Sequence, residues 1–389
     1  MEGDFIKINR WLQPLSWFYG LGVRFRNTLF ETGFLKSRSF SIPVISVGNI
    51  TVGGTGKTPH VEYLIRLLQD HSRVAVLSRG YKRKSHGFQI ANESSTARTI
   101  GDEPFQMKQK YPKVIVAVDK NRVHGIEALN QQHHDIDVIL LDDAFQHRYV
   151  KPGINILLVD YHRLIIYDTL LPAGRLREPL TGKNRADIVI ITKCPKDLKP
   201  MEYRVITKAM DLYPYQQIFF TTLEYGDLKP IFKKEGTLAN LEQLKNHHVL
   251  LLTGIASPRQ MKEDISPMVS KLSMLSFPDH HAFNQKDIEQ ISSEFAKLPS
   301  PKCIITTEKD AARIIGLKGL CEEIKENIYI LPVRIKFMLN QEEKFNDNII
   351  GYVRKNSRNS ILAKGKDEQK PKDSHRAGNG PRTISFGNH

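Results

Sequence analysis

Cysteine is scarce in this chain. The 389 residues hold three, Cys194, Cys303 and Cys321. Spacing that wide offers neither a zinc-binding knuckle nor a disulfide framework, so a reducing compartment is the default. Long apolar runs are missing too. No stretch approaches the roughly 18 residues of a spanning helix, which excludes an integral multi-span protein. Tryptophan is limited to Trp11 and Trp17. Glycine and proline, 25 and 20 residues, stay far from collagen-like content, and 40% hydrophobic residues are too many for a disordered chain. Acidic charge is also short: 42 Asp and Glu face 57 Lys and Arg, a formal net charge of +15. The length exceeds what one core usually holds, so two domains are expected.

A basic surplus suggests an anionic partner: nucleic acid, an acidic membrane surface or a phosphorylated ligand. Residues 354–389 carry nine Lys and Arg against three Asp and Glu. With few apolar residues, that end reads as a disordered, solubilising tail. The remainder is still basic.

Residues 1–40 form a distinct segment. Trp11, Leu15, Trp17, Phe18, Tyr19, Leu21, Phe25 and Phe30 crowd a short stretch interspersed with Arg10, Arg24, Arg26, Lys36 and Arg38. It is too short and interrupted to span a bilayer, and it lacks a small-residue cleavage site. Two readings stay open: a helix lying in a membrane interface, or one packed on the main domain. Afterwards the chain alternates. Strands are expected at 43–48, 73–77, 114–118, 138–141, 154–160 and 188–192, with helices at 57–68 and 123–131. Near-continuous β-branched runs imply strands buried on both faces, hence an α/β fold: a P-loop NTPase-type parallel sheet with helices on both faces. Further strands at 218–223, 249–253, 303–307 and 328–333, with a helix at 287–298, imply a smaller C-terminal α/β domain. The expected domains are 1–40, 41–225 and 226–351, followed by the tail 352–389.

The strongest signal is Thr51-Val52-Gly53-Gly54-Thr55-Gly56-Lys57-Thr58, between the first strand and the first helix. Its glycines let backbone N–H groups wrap a polyphosphate, and the helix adds the positive end of its dipole. Lys57 can reach the β and γ phosphates, and the Thr58 hydroxyl can ligate Mg2+. Thr51 stands where the first glycine of the common pattern would be. A phosphate loop also needs a metal-binding carboxylate at a neighbouring strand end, and Asp142-Asp143 follows the strand at 138–141. Further candidates are individually weak. Asp102 and Glu103 lie in an expected loop, Gly101–Pro104. His280 sits in Asp279-His280-His281. Arg175, Arg177 and Glu178 lie in the segment 171–179, where arginines could clamp phosphates. Thr307 could cap a helix.

In order, these pieces resemble the tetraacyldisaccharide 4'-kinases of lipid A biosynthesis. The matching residues are Pro14-Leu15-Ser16-Trp17-Phe18-Tyr19-Gly20, Val47-Gly48-Asn49 through Thr58-Pro59, Ser78-Arg79-Gly80-Tyr81 and Gly101-Asp102-Glu103-Pro104. The series continues with Leu141-Asp142-Asp143-Ala144-Phe145-Gln146-His147, the segment 171–179, Phe277-Pro278-Asp279-His280 and Thr307-Glu308-Lys309-Asp310. Ala144 stands where many relatives have Gly. The resemblance implies transfer of the ATP γ-phosphate to the 4'-hydroxyl of a tetraacylated glucosamine disaccharide 1-phosphate, with Mg2+. It implies catalytic roles for Asp102, His280 and Lys57, and nucleotide binding by Thr51, Val52, Gly53, Gly54, Thr55, Gly56, Lys57 and Thr58. Metal binding would fall to Thr58, Asp142, Asp143 and Glu178, with Arg79 and Arg177 as a substrate or phosphate clamp. The partners would be the lipid A disaccharide 1-phosphate precursor and the anionic surface of a Gram-negative inner membrane. The protein would be peripheral or monotopic on the cytoplasmic face. No RNA-binding motif supports a nucleic-acid partner. The competing reading is a P-loop ATPase or GTPase switch of the metal-chaperone or targeting type, stimulated by a protein and without a lipid acceptor.

Overall fold

The structure, a computed structural model, describes residues 8–232, 238, 240–255, 258–279, 281, 283–315, 317 and 319–357. His280 and most of the basic tail fall outside the described residues. A 3-10 turn, Arg10–Leu12, leads into helix α1, Gln13–Glu31. The chain then alternates through β1 (Val44–Gly48), α2 (Lys57–Leu68), β2 (Val74–Ser78), β3 (Gln89–Ile90), α3 (Ala97–Ile100) and α4 (Asp102–Lys110). It continues as β4 (Ile115–Val118), α5 (Arg122–Gln132), β5 (Val138–Asp142), β6 (Ile154–Asp160), β7 (Ile188–Thr192), α6 (Pro200–Met210) and β8 (Gln217–Tyr225). A second group follows: β9 (Lys229–Pro230), β10 (His248–Thr253), α7 (Arg259–Ile265), β11 (Lys271–Ser276), α8 (Gln285–Ala296), β12 (Lys302–Thr306), α9 (Glu308–Ile314), α10 (Glu322–Glu326) and β13 (Ile328–Ile330). Last come β14 (Val333–Phe337) and α11 (Glu342–Asn356).

Among the described residues, two sheets form. The larger has the order β14-β8-β7-β6-β1-β5-β2-β4-β3 and the smaller β11-β10-β12-β13-β9. Pairing is parallel except at the edges, where β3, β14 and β9 run antiparallel to their neighbours. The β-branched runs are buried on both faces because helices cover both. Ile45, Val47, Val76, Val116 and Leu140 pack under α2, α4 and α11. The alternate residues Val44, Ala75, Leu77, Ile139 and Leu141 pack against α5, and Val189 and Ile191 pack against α6. Helix α2 buries Val61, Leu64, Ile65 and Leu68, the face expected from their spacing. Each such side chain contributes roughly 1.5–3 kcal/mol of burial.

β1 lies between β5 and β6. The chain leaves β1 toward β2 on one side and returns on the other as β6. That reversal opens a crevice at the carboxyl end of β1, where ligands bind in such sheets.

Two local expectations change. The run 328–333 splits into β13 in the small sheet and β14 in the large one. Pro332 stands between them, with no N–H to donate to a continued ladder. Gly101–Pro104 is not a loop, because Asp102 starts α4 directly after α3. Gly101 makes that junction with φ of 95°, where a side chain would press on the Tyr81 carbonyl. The linear division at 226–351 also meets a topological fact. β14 pairs with β8, and α11 inserts Phe345, Ile349 and Val353 into the large sheet's core. The chain therefore crosses between the sheets twice, side by side, where Gly226 N donates to Pro332 O at 2.9 Å.

Candidate active site

The glycine-rich loop joins β1 to α2. Gly53 and Gly56 adopt φ of 119° and 81°, a region that L side chains resist. Asn49 Nδ2 donates to Thr55 Oγ1 at 2.8 Å and fixes the start of the turn. The segment after Leu170 lies along the loop: Thr51 bridges Leu176, Val52 N donates to Arg175 O at 2.8 Å, and Arg177 N donates to Ile50 O at 2.7 Å. The segment 171–178 is thus held against the loop by backbone contacts, which the sequence could not reveal. Lys57 and Thr58 occupy the first turn of α2.

Three loop carbonyls face away from the crevice and are met by side chains. Lys193 Nζ donates to Gly54 O. Thr192 Oγ1 donates to Thr55 O at 3.0 Å. His60 Nδ1 bonds Gly56 O at 2.7 Å, and its Nε2 bonds Thr221 Oγ1 at 3.1 Å. Burial pushes the His60 imidazole down to about 4, so it is neutral near pH 7. Its proton then sits on Nδ1, and Nε2 accepts from the threonine.

Asp142 ends β5 and is fully buried. Burial, then Glu103, then Asp143 push its carboxyl up to about 7, while Lys57 and a hydrogen bond from Ser78 oppose them. Ser78 Oγ donates to Asp142 Oδ2 at 3.1 Å. Asp143, the next residue, has φ of 48°, in the left-handed region. It lies 3.6 Å from Lys57 Nζ and 3.7 Å from Arg177 Nη1. Buried Arg122 donates to Asp142 O at 3.2 Å; burial, opposed by Asp142 and Asp143, brings its guanidinium down to about 10. Asp142 Oδ1 and Asp143 Oδ1 are both buried without a hydrogen-bond donor. Such orphaned oxygens fit Mg2+, a hard cation that takes one or two carboxylates plus phosphate and water.

The remaining candidates distribute as follows. Glu178 is buried and pairs with Arg185 at 2.9 Å, and the Arg185 guanidinium lies over Phe145. Among the described residues no three His, Cys, Asp or Glu side chains converge as a metal cluster, so Glu178 does not join Asp142 and Asp143 in one. Arg79 is exposed, close enough to Arg122 and His147 to lower both their pKa values. Asp102 heads α4 beside Glu103 and is gripped by Arg313 of α9, whose Nε lies 3.1 Å from Oδ2. Arg313 is itself anchored on buried Asp310 at 3.1 Å. Lys309 lies 3.4 Å from both Glu103 and Asp279. The crevice side of α4 is thus bound to the smaller sheet's α9. Sequence reasoning missed Arg313, His60, Thr192 and Lys193. For the last two a signal was available: a Thr-Lys pair where β7 ends, at the same carboxyl side of the sheet as the loop.

A parallel sheet carrying this loop at the carboxyl end of β1, with a carboxylate pair at the neighbouring strand end, defines a P-loop nucleotide-binding α/β protein. The profile of the Tetraacyldisaccharide-1-P 4'-kinase family matches residues 8–354. Tetraacyldisaccharide 4'-kinase of Phocaeicola vulgatus is 60% identical over 363 residues, covering 92% of this chain and 99% of the relative. The Bacteroides thetaiotaomicron protein of that name is 56% identical over 372 residues, covering 93% and 98%. A crystal structure of LpxK from Aquifex aeolicus in complex with ATP superposes with a TM-score of 0.66 at 32% identity, covering 88% of this chain and 98% of that one. The chain belongs to the tetraacyldisaccharide-1-P 4'-kinase family. That membership does not favour the protein-stimulated switch.

Proposed function

We propose that this chain is a lipid kinase. It transfers the γ-phosphate of ATP to the 4'-hydroxyl of a tetraacylated glucosamine disaccharide 1-phosphate, at an anionic membrane surface. The carrying observation is the crevice itself: Asp143, at the carboxyl end of β5, lies 3.6 Å from Lys57 of the glycine-rich loop. Glu103, next to Asp102, is near enough to Asp142 to raise its pKa.

In this reading residues 51–58 cradle the triphosphate and Lys57 offsets charge on the β and γ phosphates. Thr58, Asp142 and Asp143 would hold Mg2+, which supplies charge neutralisation on the phosphates. Arg177, 3.7 Å from Asp143, serves as the phosphate clamp, with Arg79 as a second candidate. A sugar hydroxyl is a poor nucleophile, so Asp102 accepts its proton as the oxygen attacks the γ-phosphorus. The bond to the β-phosphate oxygen breaks, and ADP leaves. His280 is assigned to work with Asp102 by resemblance to the family.

An acylated acceptor stays in its membrane, so the enzyme has to reach it. Helix α1 suits that task because its amphipathicity is inverted. Its small face packs on the protein: Ser16 Oγ donates to Leu170 O at 2.9 Å, and Gly20 leaves no room for a side chain beside Leu170. Apart from buried Phe30, near its end, its large apolar side chains face outward, with Trp17 and Phe18 at 74% and 75% exposure, and Trp11 of the preceding turn is 93% exposed. Tyr19 OH donates to Arg177 O at 2.9 Å, tying this helix to the clamp segment. No described helix is long and apolar enough to cross a membrane. We assign residues 8–31 to interfacial docking, the large sheet with β14 and α11 to nucleotide binding, and the smaller sheet to closing the crevice.

Asp102→Asn tests the chemistry. It should lower kcat by at least 100-fold while Mg-ATP affinity, measured by calorimetry, stays within threefold. Near-wild-type turnover would remove Asp102 from the role of base.

A further inference from the structure

A phosphate-binding loop works when its N–H groups converge, and its carbonyls must then point outward. A carbonyl shielded from water then needs a donor. Here three consecutive carbonyls, of Gly54, Thr55 and Gly56, receive donors from Lys193, Thr192 and His60. None of the three donors belongs to the loop, and each is fixed in turn. Lys193 Nζ also donates to Asp160 Oδ2 at 2.6 Å, and the ion pair is largely shielded, with side chains 10% and 17% exposed. Asp160 is held by register, since it pairs with Thr192 across β6 and β7. It also accepts from His162 N at 3.0 Å. Thr192 is fully buried.

The lysine is placed at a cost. Lys193 has φ of 58°, a left-handed conformation that disfavours a residue with a Cβ. Lysine stems on an open surface normally carry their charge to water. This one turns inward between a carboxylate and a loop carbonyl. Strain of that kind persists only where the surroundings hold it, and here the surroundings are the back of the phosphate loop.

We propose that Lys193, oriented by Asp160, is a positioning residue that holds the phosphate loop in its nucleotide-binding shape through the Gly54 carbonyl. Thr192 and neutral His60 hold the next two carbonyls. Without the lysine the loop samples other shapes, and ATP must select the competent fraction. Apparent affinity falls in proportion to that fraction, while saturating ATP restores turnover. The inference rests on the proposed binding of nucleotide to this loop.

The test uses the full-length chain carrying Lys193→Met, with Asp160→Asn as a second, isosteric variant should the first fail to fold. Mg-ATP affinity is measured by calorimetry, and KM for ATP and kcat in a lipid-phosphorylation assay. The expected result is at least a fivefold loss of Mg-ATP affinity, a matching rise in KM for ATP and kcat within threefold. The acceptor KM is unchanged. Loss of affinity below fivefold in a folded variant, or a fall in kcat alone, overturns the proposal. A merely structural role would lower the active fraction, and so kcat, without changing affinity. If the unmodified protein binds Mg-ATP yet phosphorylates no lipid, the kinase reading fails and the affinity ratio still decides the role of Lys193.

Discussion

His60 shows how a single buried group couples the loop to solution conditions. Its folded-state value of about 4 lies below the ordinary 6.5. Between those values the unfolded chain binds a proton that the folded protein refuses. The His60 contribution is therefore complete above pH 6.5 and is lost as pH falls toward 4, a change of about 3 kcal/mol at most. His60→Asn, whose amide can still donate to the Gly56 carbonyl, should flatten that part of the pH–stability curve. Urea unfolding at pH 7 and pH 4.5 checks it; an unchanged slope would mean that His60 is protonated in the fold. At this scale the site was partly legible. Lys57, Thr58, Asp142 and Asp143 announce themselves because a loop between strand and helix, and a strand end, are local patterns. His60, Lys193 and Arg313 act through partners as far as 211 residues away in sequence, as in the Arg313–Asp102 pair, and no local pattern carries those contacts.

Helix α1 is the element whose two sequence readings turn out to be compatible. The small residues Ser16 and Gly20, with Phe30 at its far end, dock it, while Trp17, Phe18 and Phe25 are left outside. Trp17→Ser with Phe18→Ser should change stability by less than about 0.5 kcal/mol, because neither side chain is packed. Each buries up to ~2 kcal/mol of apolar surface in a bilayer interface. Binding to vesicles of mixed neutral and anionic phospholipid should therefore drop at least tenfold by co-sedimentation. A lower melting temperature with unchanged vesicle binding would place the docking surface elsewhere. Elements α2, β6 and β7 have the bounds their apolar patterns indicate. The 328–333 run was misleading for a physical reason. Its apolar character continues across Pro332, and the partner strands, β12 on one side and β8 on the other, are set by contacts that no local pattern carries.

For the whole molecule, the question is what joins the two sheets. Besides the paired crossings at Gly226 and Pro332 and a hydrogen bond from Tyr225 of β8 to Asp264 of α7 at 2.8 Å, an electrostatic joint runs between α4 and α9. Lys110 of α4 reaches buried Glu62 of α2 at 2.6 Å and Glu308 of α9 at 2.7 Å. Burial pushes the Glu62 carboxyl upward, and Lys110 pulls it back. Lys110→Met should cost ~2 kcal/mol, because a buried carboxylate loses its nearest cation and keeps Gln106, Tyr111 and Arg66, and adding Glu62→Gln should recover at least half. Equal stability of the single variant and the unmodified protein in urea would show that those three groups suffice for Glu62. The same scale holds the central claim, that the loop, the carboxylates and the outward-facing helix serve one reaction at a membrane surface. Its most direct measurement is transfer of radiolabelled γ-phosphate from ATP to a tetraacylated glucosamine disaccharide 1-phosphate in mixed micelles. The account predicts a labelled lipid bearing the new phosphate at the 4' position, formed only with Mg2+. Release of labelled inorganic phosphate with no labelled lipid would contradict it.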